Sequence, residues 1–548
     1  MGLFTGDNIH LTRAAVLIAL VSLLFSSCEF FRTLFLGPLY GITLEVETGG
    51  NCSVEPAAEK EENGVFYFRD GTTVTMTAAP SAGYRFTGWV VDAQRSYSKI
   101  LTIPALGRDT GVTLEFSPVE TAWTILVYLD GDNDLEGNAI TDFEEMETGL
   151  YLAQTGDPGV MDKVAVAVQF DRGNEISSSF DGVWTTARRY EVLPDYSAGC
   201  GSRLVEDLGE VNMGDPATLK DFLEWGKCTF PAEYYVLVLW NHGGGARDLT
   251  PDDGRRDICF DETPGSDVLY VGEITDGLSG EHAVDILGMD ACLMGTLETA
   301  YEYRPGTGGF GADYMVASPA EERGDGWEYD RIFSRLAGEG NYDAEEDPCY
   351  DAAALTPGIF AALLVKEYRD TCIGYSDQTM TAFRLAGVPG VKTAVDELAG
   401  ELAYQKSEVL SRVDSGGIPF YTSPSDSRSV PYFELGNLCD ILSSPEISAD
   451  ITSAAGAVKT ALRDLIVSAW GGADYGGYED PGGDGYRGVS IFFSEGPSDY
   501  SYQWWYTSED TTGLPGADET WLYGKLDFCG SDGTPPVDSW KELFDTWY

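Results

Sequence analysis

A single cysteine follows an apolar run in the segment DILGMDACLMG, residues 285–295. This cysteine, Cys292, has two interpretations. Free cysteine is among the residue types most often buried, so it could be a structural thiol at the end of a core strand. A cysteine that a strand delivers to a sheet edge can instead attack a carbonyl carbon, provided that a base or proton donor lies within reach.

The histidines of the chain distinguish these interpretations. There are three, His10, His242 and His282, and His10 lies in an N-terminal segment that we expect to be a signal. His282 precedes the strand that Cys292 follows, so roughly six extended residues at about 3.3 Å each separate the two by about 20 Å. His242 follows another apolar run, YYVLVLW. If the two strands are parallel neighbours, His242 and Cys292 emerge at the same edge and form a catalytic dyad.

Glycines follow the candidate histidine directly, at positions 243 to 245. Because glycine has no side chain, the backbone there can approach a substrate closely and adopt positive φ. The amide of Gly243 could form an oxyanion hole with the amide of Cys292, which we expect at the head of a helix. A flexible turn beside a structural cysteine is the alternative. Two such signatures at matching strand ends favour a catalytic site.

The strands and helices that would position these residues can be predicted from the pattern of apolar residues, which indicates an α/β fold with a mostly parallel sheet. Continuous apolar runs recur between residues 120 and 495, as is typical of strands covered on both faces. Helical spacing of apolar residues occurs at residues 216–227, 389–413 and 447–470. We therefore expect helices on both faces, an α/β/α sandwich, with ligands beyond the carboxyl ends of the strands. The runs are WTILVYLD, KVAVAVQFD, YYVLVLW, VDILGMDAC, YMVASPAEE and GVSIFFS.

Residues 41–117 predict a separate, small all-β domain. Short runs of β-branched and aromatic residues alternate here with Gly, Asn and Asp turn signals. The stretch AAPSAGYRFTGWVVD resembles the bacterial surface modules related to internalin B-repeats. Such modules serve as spacers or adhesion units, and nothing in this region indicates catalysis.

The N-terminus resembles a bacterial lipoprotein signal. Arg13 precedes an apolar core of about 12 residues, which is too short for a membrane span. Residues 1–27 would be the signal peptide, Cys28 the lipidated residue and residues 28–40 a linker. Phe25 departs from the usual Leu, so ordinary secretion is an alternative, as is an uncleaved anchor helix. We expect an exported lipoprotein of the cell envelope that contacts the membrane only through its lipid anchor.

Composition excludes several classes of function. The chain has 90 acidic and 34 basic residues, a formal net charge of −56, and such a surface repels nucleic acid and anionic headgroups. Its ten cysteines show no spacing typical of zinc ligands and no deducible disulfide framework. We therefore expect no metal in the active site, no required cofactor and no nucleic-acid partner. A serine hydrolase is excluded because no GxSxG elbow is present.

A strand ending in His-Gly, followed by one ending in Asp-Ala-Cys, resembles the caspase-fold cysteine peptidases. WTILVYLDGDNDLE, VLVLWNHGGG, DILGMDACLMG, YMVASPAEERGDGW, YFELGNLCDIL and YRGVSIFF resemble the clostripain family, in order. The resemblance spans about residues 120–495. It implies a caspase-like peptidase domain over residues 120–548, with a catalytic core at about 120–340 and a C-terminal part at 350–548. One departure is Ala246, since in the family the glycine run is often followed by Trp.

The resemblance also implies an activity, endopeptidase cleavage of peptides or proteins after Arg or Lys. Cys292 would attack the scissile carbonyl and His242 would protonate the leaving amine. Asp290 stands where the family places an acid for the basic P1 side chain. Glu321, Glu322 and Asp325 are all candidates for a second acid in this pocket. A surface adhesion or binding lipoprotein with an inactive peptidase domain is the alternative function.

Family members are made as zymogens that cut themselves between the His and Cys segments. The polar loop LTPDDGRRDICFDETPGSD lies there, so Arg255 or Arg256 is a candidate self-cleavage site. An ordinary exposed dibasic pair is the alternative.

The segment DGDNDLEG, residues 130–137, resembles a calcium loop, and some clostripain-like enzymes depend on calcium. An EF-hand would require Gly and Glu where this chain has Leu135 and Thr141, so the segment is not an EF-hand. We expect these residues to cap a helix or line the pocket, with calcium as an optional ligand.

Overall fold

The computed structural model describes most of the chain after its N-terminal segment. The described residues are 38–81, 84–92, 94–96, 100–118, 121–173, 180–246, 258–263, 265–338, 348–416, 432–444, 447–480, 483–494, 523–530 and 537–548. The chain folds into two compact units, with the division between Val119 and Glu120. Among the helices of these described ranges, none combines the length and the hydropathy needed to cross a membrane.

The N-terminal unit is all-β. Its strands are β1 Leu39–Val46, β2 Gly50–Glu55, β3 Lys60–Glu62, β4 Val65–Arg69, β5 Thr72–Pro80, β6 Tyr84–Val91, β7 Gln94–Ser96, β8 Ile100–Leu106 and β9 Thr110–Pro118. They form one sheet in the order β3-β4-β1-β9-β6-β7 and a second in the order β2-β5-β8. Trp89, Phe68 and Met76 are among the apolar side chains that fill the core of this unit. The predicted small β domain is confirmed.

The second unit contains fourteen described strands. They are β10 Thr121–Gly131, β11 Val164–Arg172, β12 Ala187–Glu191, β13 Arg203–Gly209, β14 Ala232–Trp240, β15 Ile258–Asp261, β16 Asp267–Leu269, β17 Val284–Asp290, β18 Ala312–Ala317, β19 Thr379–Arg384, β20 Tyr432–Glu434, β21 Ile466–Gly471, β22 Tyr478–Asp480 and β23 Ser490–Phe492. Ten of them form one sheet in the order β13-β12-β11-β10-β14-β17-β18-β19-β21-β22. Its five central strands, β11 to β18 in that order, run parallel, and the strands at both edges pair antiparallel.

Helices cover both faces of this sheet. They are α1 Glu136–Gly156, α2 Pro216–Thr229, α3 Val271–Gly277, α4 Leu297–Glu302, α5 Tyr329–Ser334, α6 Pro357–Cys372, α7 Val388–Leu402, α8 Lys406–Gly416, α9 Leu435–Leu442, α10 Ala449–Leu465 and α11 Trp540–Trp547. Alternate residues of β10 enter different cores, because successive side chains of a strand point to opposite faces. Leu126 and Tyr128 pack in one core with α2, α7 and α10. Ile125 and Val127 pack in the other with α1, α5 and α6.

This layering confirms the predicted α/β/α sandwich around a parallel sheet core. Two helical predictions need adjustment. The periodic stretch at residues 389–413 is divided between α7 and α8, and α10 ends at Leu465, where β21 begins. The C-terminal part of the predicted helix over residues 447–470 is therefore a strand that lies between β19 and β22 in the sheet.

Candidate active site

The ends of β14 and β17 bring His242 and Cys292 to one sheet edge. The two strands are parallel neighbours, and Trp240 is the register partner of Asp290. His242 and Cys292 therefore each lie two residues beyond the same paired position. Just past the strands, the amide of Asn241 donates to the carbonyl of Asp290 at 3.2 Å.

The glycine loop after His242 lies against the backbone of Cys292. A Cβ atom on Gly243 would lie 2.1 Å from the Cys292 carbonyl oxygen and 3.0 Å from its nitrogen, so no larger residue fits there. Gly245 has φ of +79°, a left-handed conformation that favours glycine. Ala246, which departs from the family pattern, is buried, and its amide donates to the Tyr432 hydroxyl at 2.8 Å.

Cys292 contacts the backbone of Glu322. The N–H of Glu322 donates to Sγ at 3.2 Å, and the carbonyl oxygen of Glu322 lies 3.7 Å from the same sulphur. Burial, followed by the charge of Glu322, raises the pKa of the Cys292 thiol to about 12. The thiol is therefore protonated in this arrangement at neutral pH. The expected helix at Cys292 is wrong, because α4 begins at Leu297.

The ring of His242 is hydrogen-bonded to an acid of the 130–137 segment that was not among the predicted catalytic or substrate-binding residues. Its Nε2 lies 3.0 Å from Oδ1 of Asp134, and its side chain is 30% exposed. Among the hydrogen bonds of the described residues, none joins His242 to Cys292. His282 is buried before β17, with its ring between Ser279 and Glu224. It lies at the opposite end of the strand, as we expected.

Two asparagines hold the loops that present Asp134 and His242. The side-chain amide of Asn133 donates to the carbonyl oxygens of Asp130, at 3.3 Å, and of Phe260, at 2.9 Å. The side-chain amide of Asn241 donates to the same two oxygens, at 3.2 Å and 3.0 Å. The expectation of helix capping by the 130–137 segment is wrong, because the N-cap of α1 is Leu135 and makes no side-chain bond.

Asp290 is buried beside the candidate nucleophile. Its Oδ2 accepts hydrogen bonds from the Tyr329 hydroxyl at 2.9 Å and from the Trp327 amide at 3.2 Å. Burial outweighs these bonds and raises the pKa of Asp290 to about 7. A carboxylate in this position lacks the hydration that an ionised group needs, so it is predisposed to bind a cation.

Of the three candidates for a second pocket acid, Glu322 lies in the same buried environment as Asp290. Both carboxylate oxygens of Glu322 are inaccessible to solvent, and the backbone of Ala291 and Ser318 and the Trp327 side chain lie around them. Burial and the charge of Asp290 raise its pKa well above the usual range. Asp325 is 69% exposed and pairs with Arg323 at 3.0 Å. Glu321 is half-buried, and its charge contributes to the raised pKa of Cys292 after burial and Glu322.

A second acidic group lies at the ends of β10 and β11. Asp132, Glu210 and Asp261 offer carboxylate oxygens within 4.8 Å of one another. Asp171, the register partner of Asp130, is fully buried, and its Oδ2 has no partner among the described residues. Burial and the charges of Asp261 and Asp130 raise the pKa of Asp171 well above the usual range. Oxygen donors of this kind suit calcium or another hard cation.

Three of the predicted site residues lie outside the described part of the chain. They are the lipidation candidate Cys28 and the self-cleavage candidates Arg255 and Arg256.

Comparison with known proteins identifies both units of the chain. Residues 127–521 match the model of the Clostripain family, and residues 42–120 match a Divergent InlB B-repeat domain. Clostripain from Hathewaya histolytica is 33% identical over 475 residues, which cover 78% of this chain and 86% of that protein. The resemblance of the N-terminal module to internalin B-repeats is thus confirmed.

Solved structures similar to this chain include two C11 proteases. One is an inactive zymogen from Parabacteroides distasonis, with 16% identity, coverage of 70% of this chain and 95% of that chain, and a TM-score of 0.49. The other is a secreted C11 cysteine protease from Bacteroides thetaiotaomicron in complex with an irreversible peptide inhibitor, with 17% identity, coverage of 74% and 97%, and a TM-score of 0.48. The family match over residues 127–521, together with the identity to clostripain over most of both chains, shows that the protein belongs to the clostripain family of cysteine peptidases.

Proposed function

We propose that the protein is an exported endopeptidase that cleaves polypeptides after Arg or Lys, with His242 and Cys292 as its catalytic pair. The register of β14 and β17 carries this proposal, because both residues stand two positions beyond one paired strand end. The buried acids Asp290 and Glu322 beside the thiol support the preference for a basic side chain.

In the proposed reaction, the Cys292 thiol gives its proton to His242, and the thiolate sulphur attacks the scissile carbonyl carbon. The amides of Gly243 and Cys292 donate hydrogen bonds to the resulting oxyanion. The His242 imidazolium then protonates the leaving amine as the C–N bond breaks, which leaves a thioester on Cys292. Water attacks the thioester while His242 accepts a proton from it, and that proton returns to sulphur as the C–S bond breaks.

The S1 pocket would use Asp290 and Glu322 together. Neither carboxylate has a cationic partner among the described residues, although buried charges ordinarily require one. A guanidinium or ammonium group at P1 would supply that partner by charge-assisted hydrogen bonding. The same cation would offset the negative charge that raises the pKa of the Cys292 thiol, so binding of a basic side chain would favour the thiolate.

Export and maturation complete the proposal. Residues 1–27 act as a signal peptide, and Cys28 carries the lipid that holds the protein in the cell envelope, with secretion as the alternative outcome. The chain is a zymogen that cuts itself after Arg255 or Arg256. The short apolar core after Arg13 supports export, and the dibasic pair in a polar loop between the His and Cys strands supports self-cleavage.

Calcium, when bound, would neutralise the acidic group at the ends of β10 and β11. Asp132, Glu210 and Asp261 would provide the ligands, and their charges already act on the buried carboxyl group of Asp171. The ion would stabilise the strand ends without taking part in the chemistry. Calorimetric titration with calcium tests this role, and an Asp261→Asn variant that binds with unchanged affinity would contradict it.

One experiment tests the central proposal. Protein lacking residues 1–28 is incubated with matched peptides that differ only in Arg, Lys or Gln at one position, beside the variants Cys292→Ala and His242→Ala. We expect cleavage after Arg or Lys by the parent protein alone, detected by mass spectrometry. Intact Arg and Lys peptides with all three proteins, after an activation step and with calcium present, would instead support an inactive adhesion or binding lipoprotein.

A further inference from the structure

We propose that Asp134 is a positioning residue for His242, fixing the tautomer and the orientation of its ring so that Nδ1 serves the reaction. This inference rests on the proposed function, in which His242 moves protons for Cys292. The distance of 3.0 Å from Oδ1 of Asp134 to Nε2 of His242 is the observation that carries it.

The chemistry of the two groups determines which nitrogen bears the proton. An exposed aspartate is ionised at neutral pH, and an ionised carboxylate can only accept hydrogen bonds. Asp134 is 66% exposed, so Nε2 of His242 must carry hydrogen to make this bond. Nδ1 is then the nitrogen that gains and loses a proton. The neutral ring accepts a proton at Nδ1, first from the Cys292 thiol and later from water, and the imidazolium donates that proton to the leaving amine.

The backbone around Asp134 is held on both sides. The Asn133 side chain accepts a hydrogen bond from the amide of Leu135 at 2.8 Å, which closes a turn around Asp134. Asn133 and Asn241 each precede one member of the pair and donate to the same carbonyl oxygen, that of Phe260. The two loops therefore share an anchor, and the separation of Asp134 from His242 is set by buried groups rather than by the exposed carboxylate itself.

A purely structural role does not account for the bond. Exposed pairs of this kind contribute little to stability, so the bond between Asp134 and His242 is not one on which the fold depends. Its side chain touches the one histidine that the proposed reaction uses. A second acid in the same role would need to approach Nε2, and among the described residues Asp134 is the carboxylate bonded to it.

The test separates proton transfer from general loss of activity. The variants Asp134→Ala and Asp134→Asn are compared with Asp276→Asn, which removes the charge of an exposed aspartate on α3. Each is assayed on an arginine anilide, whose leaving amine needs a proton, and on the matching p-nitrophenyl ester, whose leaving phenolate does not. The ratio of the two kcat/KM values reports protonation during acylation.

We expect Asp134→Ala to lower the ratio of anilide to ester kcat/KM about tenfold or more, because both substrates require deprotonation of Cys292 but only the anilide requires protonation of its leaving amine. Asp134→Asn keeps an acceptor oxygen and should restore most of the anilide activity, and Asp276→Asn should match the parent. Nitrogen-15 spectra should show the Nε2–H tautomer of His242 in the parent and a mixture of tautomers in Asp134→Ala. An unchanged ratio of anilide to ester activity in both Asp134 variants, with active parent protein, would overturn the inference. A parent protein as inactive as Cys292→Ala would instead refute the proposed function.

Discussion

Glu322 contacts Cys292 in two opposing ways. Its backbone N–H donates to the sulphur at 3.2 Å, which favours a thiolate, while its buried carboxylate raises the pKa of the same thiol. One residue thus supplies a donor for the nucleophile and a charge that keeps it protonated. Under the proposed function, a basic substrate side chain offsets the carboxylate charge, while the hydrogen bond from the Glu322 N–H to the sulphur remains.

Replacing Glu322 with Gln should increase the rate at which iodoacetamide alkylates Cys292 in the absence of substrate. Loss of the charge lowers the pKa of the thiol, and each unit of lowering raises the thiolate fraction about tenfold. The same variant should bind Arg peptides with a higher KM. Inactivation rates measured across a range of pH values check the first effect, which should appear at alkaline pH, where the raised pKa of Glu322 allows its carboxyl group to ionise. Asp325→Asn is the matched control because that acid is exposed and pairs with Arg323. Equal rates in Glu322→Gln and the parent would contradict the assignment.

The selectivity for basic side chains should depend on pH through Asp290. Its pKa is about 7 because of burial, so its ionised fraction increases as pH rises through that value. Asp290→Asn should lower kcat/KM for Arg peptides about tenfold to a hundredfold, the range for a lost hydrogen bond to a charged group. The measurement is the ratio of kcat/KM for Arg peptides to kcat/KM for Gln peptides, determined as a function of pH for the parent and for Asp290→Asn. A variant that retains the parent's ratio at every pH would rule out Asp290 as the selecting acid.

The same substitution should stabilise the fold at alkaline pH. Asp290 has a folded-state pKa of about 7 against an ordinary 3.8, so between these values the native state holds more protons than the unfolded state. The free energy of unfolding therefore falls as pH rises across this window. Asp290→Asn removes the cost of ionising this buried carboxyl group. The variant should therefore be more stable than the parent above pH 7, by on the order of 1–3 kcal/mol. Urea unfolding at acidic and alkaline pH checks the sign, with Asp276→Asn as control. Greater stability of the parent at alkaline pH would refute the expectation.

Gly243→Ala should abolish cleavage. The new Cβ would lie 2.1 Å from the carbonyl oxygen of Cys292, so the His242 loop and the nucleophile would have to separate. Gly390→Ala is the control, since a Cβ there meets nothing within 4 Å. We expect a loss of kcat/KM of at least about a hundredfold for Gly243→Ala, consistent with loss of an oxyanion donor. Full activity in this variant would show that Gly243 takes no part in the site.

A double variant, Arg255→Gln with Arg256→Gln, should remain a single chain under conditions in which the parent divides into two. N-terminal sequencing of the parent's second fragment should begin at Asp257 or at Arg256, depending on which arginine is cut. Cys292→Ala controls for contaminating proteases and should also stay intact. A parent protein that is active as one undivided chain would eliminate the self-processing proposal.

The positions of many candidate site residues could be predicted from the ends of the strands, because the carboxyl ends of neighbouring parallel strands lie at the same edge of a sheet. That geometry was enough to predict that His242 and Cys292 follow neighbouring parallel strands at one sheet edge and that His282 lies at the other end of β17. It was not enough to predict Asp134, whose contact depends on a turn closed by Asn133 and not on the strand itself. Nor could it predict that the carboxylate oxygens of Glu322 are enclosed, because this depends on how the loop after β18 packs. The helix predicted at Cys292 failed for a similar reason: Leu293 adopts φ of +65°, which interrupts any helix there.

The pairing of β14 with β17 has a consequence for the processed molecule. A cut after Arg255 or Arg256 would divide the chain between these two strands, which are hydrogen-bonded neighbours in the middle of the ten-stranded sheet. The two products would then share one continuous sheet and both of its hydrophobic cores. Dissociation would require the sheet to open between β14 and β17. The mature enzyme should therefore elute as one species in gel filtration and separate into two polypeptides only in denaturant.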